Sequence, residues 1–114
     1  MKKLTPTELT QALAQLPLWT LDAAGTGLVR QLVFADFAQA FGYMAQVALW
    51  AEAANHHPEW HNVYNRLHIT WSTHDVGGVS DNDVRMAQRC DQAFALLQGT
   101  AQATASPPDG AAHA

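Results

Sequence analysis

The chain has 114 residues, 48% of them hydrophobic and 14% charged, with a net charge of −4 and a pI near 5.8. That length holds one domain and not two, and the hydrophobic share is enough for a core. The six Lys and Arg are scattered, which argues against binding nucleic acid through its phosphates, and no apolar run approaches the roughly 20 residues that span a bilayer.

Lys2 and Lys3 open the chain as a signal peptide would. Thr5, Thr7, Glu8, Thr10 and Gln11 then break any apolar segment behind them, so a cytoplasmic protein is expected. Thr5-Pro6-Thr7-Glu8 reads as a helix start, with a capping Thr, Pro at the first helical position and Glu three residues after the cap. This helix is expected from Pro6 to about Leu16, stopping before Pro17. Leu18 to Leu21 and Gly27 to Phe34 flank a turn at Ala24-Gly25 and read as a hairpin. Asp36 and Gln39 form a second capping box, and a helix should follow from Phe37 to about Ala54. Phe37, Phe41, Met44, Ala48 and Ala51 fall on one face of it.

Val63 to Thr73 reads as an extended region, with a short piece at Trp60 to Asn62 before it. Val63, Leu67, Ile69 and Trp71 share one face, and Tyr64, Arg66, His68, Thr70 and Ser72 the other. Ser80 and Asp83 mark the third helix start. That helix should run from Asp81 to about Gln98 and end at Gly99, with Val84, Ala87, Cys90, Phe94 and Leu97 on its apolar face. Cys90 is the only cysteine, so no intramolecular disulfide exists, which fits a reducing compartment. Residues 99–114 have no periodicity and no large apolar side chain, and are expected to form a disordered tail after a domain spanning 1–98. The fold expected is α+β in the order α-β-β-α-β-β-α. It has an antiparallel sheet of about four strands, with three helices on one face and the other face left open.

The chemistry concentrates between Glu52 and Asp83. This stretch carries His56, His57, His61, His68 and His74, with Glu52, Asp75 and Asp83, and the rings of Trp60, Tyr64 and Trp71. Histidine titrates nearest neutrality, so histidines beside carboxylates and flat rings point to proton transfer on a planar polar ligand. His56-His57-Pro58 follows the second helix directly. Pro58 disfavours a helical His57, so the two rings should leave the helix end in different directions. The plainer reading, that they only cap the last carbonyls, is outweighed by the further histidine and acids downstream. Glu52, four residues before His56, is placed to bond it or to face water.

His74 sits where the strand ends in the Gly77-Gly78 turn and is a better candidate than the mid-strand His68. Trp60, Tyr64 and Trp71 read first as core or interface, and Cys90 as buried and inert. Zinc would have to use His57, His61 and His74, because adjacent His56 and His57 do not easily reach one ion and no HExxH motif occurs. No metal is expected.

Glu52, His56-His57-Pro58-Glu59-Trp60, Asn62-Val63-Tyr64, Thr73-His74-Asp75, Gly78 and Asp83 together resemble the signature of the pterin-4a-carbinolamine dehydratase family. The likeness continues through Phe37-Ala38-Gln39-Ala40-Phe41-Gly42-Tyr43-Met44 and covers roughly residues 4 to 98. It implies a hydro-lyase, 4a-hydroxytetrahydrobiopterin dehydratase. Such an enzyme dehydrates 4a-hydroxytetrahydropterin to quinonoid dihydropterin and so recycles the cofactor of aromatic amino acid hydroxylases. It implies no metal and no organic cofactor. It places the active-site histidines at His56, His57 and His74, with Glu52 and Asp83 as supporting acids, Trp60 and Thr73 as supporting positions, and Trp19 as an aromatic residue closing the pocket. His57 would be the base, and His56 and His74 acids on either side of the ring. The resemblance also implies a homodimer or homotetramer. The alternative it leaves is a binding or assembly-factor module on the same fold, since family members also serve as dimerisation cofactor or assembly factor.

Overall fold

The computed structural model describes the backbone of residues 1–104 and the side chains of residues 1–98. The elements are α1 (Pro6–Ala14), β1 (Thr20–Leu21), β2 (Leu28–Val33), α2 (Phe37–Ala54), β3 (Glu59–Val63), β4 (Arg66–Trp71), a 3-10 turn at His74–Val76, and α3 (Asp81–Thr104). This is the expected α+β order. The four strands form one antiparallel sheet in the order β1-β2-β4-β3.

Capping fixes the first two helix starts. Thr5 Oγ1 accepts from the Glu8 N–H at 3.1 Å, and Glu8 Oε1 accepts from the Thr5 N–H at 2.9 Å. Asp36 Oδ1 accepts from the Gln39 N–H at 2.8 Å, whereas the Gln39 side chain reaches one residue further back, to the Ala35 N–H. α1 ends at Ala14, two residues before the expected Leu16, in a last turn closed by Gln15 and Leu16 N–H groups. α3 runs to Thr104, past Gly99, the residue expected to end it. Of the expected tail, residues 105–114 lie outside the described residues.

β4 alternates as the sequence requires, with Leu67, Ile69 and Trp71 buried against Leu32, Arg30 and Leu28 of β2. The extended region expected from Val63 to Thr73 is not continuous. Tyr64 takes φ 53° and turns the chain with Asn65, so β3 and β4 form a hairpin, and Tyr64 belongs to its tip rather than to the polar face of a strand. The Asn62 amide holds this turn by donating to the Tyr64 and Arg66 carbonyls. His61 and His68 sit opposite each other in the register, on the sheet face away from Leu67 and Ile69.

The face of α2 departs from expectation. Ala40, Tyr43, Val47 and Ala51 are the buried residues, while Phe37 and Phe41 are about half exposed and contact each other at 5.9 Å. Nearly every face of this helix is apolar, so spacing alone does not select one. The Tyr43 hydroxyl selects it by donating to the Cys90 carbonyl of α3 at 2.9 Å, with its ring against Phe34 and Phe94. Small side chains at Ala40 and Ala51 let the helix approach the sheet closely.

Arg30 is the exception on the covered face. Its guanidinium pairs with Asp91 of α3 at 2.5 Å and lies over the Phe94 ring, and the same Asp91 oxygen accepts from the Trp19 indole N–H at 2.8 Å.

Cys90 lies fully buried in this core, and burial pushes its thiol up from the ordinary cysteine range. It should not react with an aromatic disulfide reagent in native buffer, and should release one equivalent after unfolding in guanidinium. Rapid native labelling would show that α3 opens readily from the sheet.

Candidate active site

α2 ends because Asn55 adopts the left-handed conformation, φ 53°, with its N–H returned to the Ala51 and Glu52 carbonyls. The His56 N–H also reaches back to Ala51 O at 3.0 Å. The two histidines then part, as Pro58 led one to expect. His56 turns inward, its ring nearly parallel to the Trp71 indole at 12° and 5.7 Å between centroids. His57 turns outward and shares a hydrogen bond of 2.9 Å with Glu52 Oε1. Glu52 therefore partners His57, five residues on, rather than His56. Both are well exposed, so this pair orients a ring more than it stabilises the fold.

His56 instead meets Asp83. Its Nε2 lies 2.5 Å from Asp83 Oδ1. Asp83 is fully buried, and its other oxygen, Oδ2, accepts from the Thr73 hydroxyl at 2.7 Å and the Ser80 N–H at 2.9 Å. Asp83 so holds two functions at once. Oδ2 closes the start of α3 in the manner of a capping box, and Oδ1 holds a histidine that follows the end of α2. A buried carboxylate is tolerated because each oxygen is bound.

Thr73 joins this buried group to a solvent-facing one. The chain after β4 makes a short loop in which Thr73 pairs with Gly78, and Gly77 takes φ 67°, a conformation that favours glycine. His74 opens the 3-10 turn inside that loop. Its ring is largely exposed, and Nε2 lies 3.6 Å from Glu59 Oε2 at the start of β3. Thr73, His74 and Glu59 line a cavity of about 190 Å³ together with Asp22 and Thr26 of the β1–β2 turn, Ser72, Gly77 and Gly78. The loop is braced from behind by the N-terminal segment, where the Leu4 N–H donates to Val79 O at 2.8 Å.

The structure thus brings His56, Asp83, Thr73 and His74 to one end of the sheet, with His57 and Glu52 beside them at the end of α2. Trp19 does not line this cavity. It is 3% exposed in the core and bonded to Asp91, so it does not close the pocket in the way the resemblance implied. Trp60 lies half-buried on the core face of β3, opposite Ile69, and supports the core. Ser80 does more than cap α3 and Trp71 more than fill the core, since Ser80 binds Asp83 and Trp71 stacks on His56, while Glu59 at the start of β3 faces His74. Only the tertiary contacts reveal their second partners. No sequence signal brought Asp22 or Thr26 to the cavity.

A larger apolar groove, about 560 Å³, runs between α2 and α3 along Gln39, Tyr43, Trp50, Ala93 and Leu97. Neither histidine nor carboxylate lines it; His74, Glu59 and Asp22 line the smaller cavity instead. Among the described residues no three His, Cys, Asp or Glu side chains converge as a metal site, and no helix is long and apolar enough to cross a membrane.

Residues 2–93 match the family model described as pterin 4 alpha carbinolamine dehydratase. A Burkholderia orbicola protein provisionally named as such a dehydratase is 49% identical over 96 residues, covering 84% of this chain and 94% of its own length. A Novosphingobium aromaticivorans protein with the same provisional name is 51% identical over 86 residues, covering 75% and 90%. The crystal structure of a transcriptional coactivator/pterin dehydratase from Brucella melitensis superposes with a TM-score of 0.77 at 42% identity, over 79% of this chain and 96% of that one. These matches run through every element from α1 to α3, and the chain belongs to the pterin 4 alpha carbinolamine dehydratase family.

Proposed function

We propose that this protein dehydrates 4a-hydroxytetrahydropterin to quinonoid dihydropterin and water by histidine acid–base catalysis, without a metal or organic cofactor. The observation that carries the reading is the buried Asp83–His56 pair, set beside a polar cavity whose rim presents the largely exposed His74. The reaction breaks the C4a–O bond and the N5–H bond and makes the C4a=N5 double bond. The departing hydroxyl takes one proton and leaves as water, and N5 gives one up. Two kinds of group are needed, an acid at the oxygen and a base at N5.

His57 is assigned as the base. It is exposed, and Glu52 at 2.9 Å orients its ring. His56 and His74 are assigned as the acids. Each has a carboxylate at hand, Asp83 and Glu59, to steady the ring through its proton cycle. Thr73 supports from the cavity wall. The product recycles a reduced pterin, which supports an aromatic amino acid hydroxylase upstream, and the lone cysteine, Cys90, supports a reducing, cytoplasmic setting. We further assign self-association to a dimer or tetramer. The sheet face opposite the helices is uncovered, and Phe37, Phe41, Leu49 and Tyr64 stand exposed. The second reading, a binding module on the same fold, draws on the description of the Brucella relative as a coactivator as well as a dehydratase.

Purified protein given enzymatically generated 4a-hydroxytetrahydropterin should accelerate its loss well above the spontaneous rate. No acceleration would favour the binding module. Activity should survive dialysis against a strong chelator, and a loss restored by zinc would overturn the metal-free mechanism.

His57→Ala should lower turnover by roughly 10²-fold or more with the thermal midpoint little changed, because the ring is exposed and a general base is lost. His68→Ala, on the open sheet face, should have a much smaller effect. Equal effects would remove the distinction drawn between these histidines. Light scattering should report a dimer or tetramer at micromolar concentration, and a monomer there would count against self-association.

A further inference from the structure

The hydrogen bonds around Asp83 have a direction. The Thr73 hydroxyl donates to Asp83 Oδ2 at 2.7 Å, and the Thr73 and Ser80 hydroxyl oxygens are 2.7 Å apart. A hydroxyl has one proton to give. With the Thr73 proton on Asp83, the contact between the hydroxyls closes only if Ser80 donates and Thr73 accepts. Ser80 Oγ itself accepts from the Asn82 N–H at 3.3 Å. In this arrangement, which makes the two shortest contacts, the protons run from the first turn of α3 through Ser80 and Thr73 into Oδ2.

Ser80 also caps α3, but its hydroxyl does only part of the usual work. The Asp83 N–H, which a capping hydroxyl commonly takes, bonds the Ser80 carbonyl at 3.0 Å instead. The Ser80 hydroxyl also lies 3.5 Å from Asp83 Oδ2, and its 2.7 Å contact with Thr73 is the shorter of the two, so its proton is assigned to Thr73. Thr73, Ser80 and Asp83 are all buried, and the His56 ring is 11% exposed, so water does not readily exchange for these partners. With Oδ2 occupied by donors, Oδ1 is left to accept from His56 Nε2. Trp71 stacked on the imidazole resists a ring flip, which would present a carbon to Asp83.

We infer that Ser80, acting through Thr73, is a positioning residue. The hydroxyl pair fixes Asp83 so that Nε2 of His56 carries the bound proton, and Nδ1 is the nitrogen that exchanges a proton with substrate. The exchange with substrate rests on the dehydratase reading, whereas the position of the bound proton does not.

The test uses the full chain with 15N-labelled histidine and long-range proton–nitrogen correlation, His56 being assigned by the signal lost in His56→Gln. Neutral His56 should appear in the wild type as the Nε2–H tautomer. Thr73→Val and Ser80→Gly should each turn it into a mixture of tautomers and lower kcat roughly tenfold or more, with KM within about twofold. Gly is chosen at position 80 because it caps a helix within a few tenths of a kcal/mol of Ser, and it reads the same relay should Thr73→Val not fold. Thr73→Ser keeps the hydroxyl and should restore both signals. An Nδ1–H tautomer in the wild type, or an unchanged tautomer in folded Thr73→Val or Ser80→Gly protein, would overturn the assignment. A wild type inactive on the pterin but showing these tautomer shifts would retire the dehydratase reading and leave the positioning role of Ser80 standing.

Discussion

The rest of the site depends on one buried carboxylate. Asp83 receives donors from three parts of the chain: His56 after α2, Thr73 at the end of β4, and Ser80 at the start of α3. A charge taken from water is costly unless every lone pair finds a donor, and removing one partner of a buried pair typically costs about 3–5 kcal/mol. That constraint links the elements. The helix end that delivers His56, the strand end that precedes His74 and the first turn of α3 are held together because each supplies a partner to the acid. Fold stability and site geometry here rest on the same few bonds.

The histidines on this frame occupy different environments. His56 is enclosed, stacked on Trp71 and bound to a buried acid. His57 and His74 stand in solvent near Glu52 and Glu59, which are themselves exposed. An enclosed ring keeps its partner through a proton cycle, while an exposed one exchanges freely with water. The proposed dehydration needs both an acid and a base, and side chains of one type take different parts when their surroundings differ. His61 and His68 lie apart, facing each other on the uncovered side of the sheet.

Much of the frame was legible in the residues. Thr5, Asp36 and Ser80 marked helix starts, and the alternation of Leu67, Ile69 and Trp71 marked a strand with one buried face. These signals are local, as caps act within a turn and pleating acts between neighbours. The rotation of α2 was not legible. Phe37 and Phe41 look like core residues by spacing, yet Tyr43 and Val47 are buried in their place, because the deciding contact is a hydroxyl on a carbonyl 47 residues away. The hairpin tip at Tyr64 was missed for a different reason. A bulky residue with positive φ is uncommon, and what favours it here is the Asn62 amide bound across the turn.

The sequence by itself determined which residues were candidates for the chemistry, the order of elements and the parting of His56 from His57. Residue type and short-range backbone restriction suffice for these, and the spacing of the histidine and acidic residues pointed to the family. Tertiary structure decided the pairings. It gave Glu52 to His57, Asp83 to His56 and Glu59 to His74, and it sent Trp19 into the core beside Asp91. Such choices follow from which side chains converge when helices close over a sheet. They depend on distances between residues far apart in the chain, which composition and periodicity do not encode.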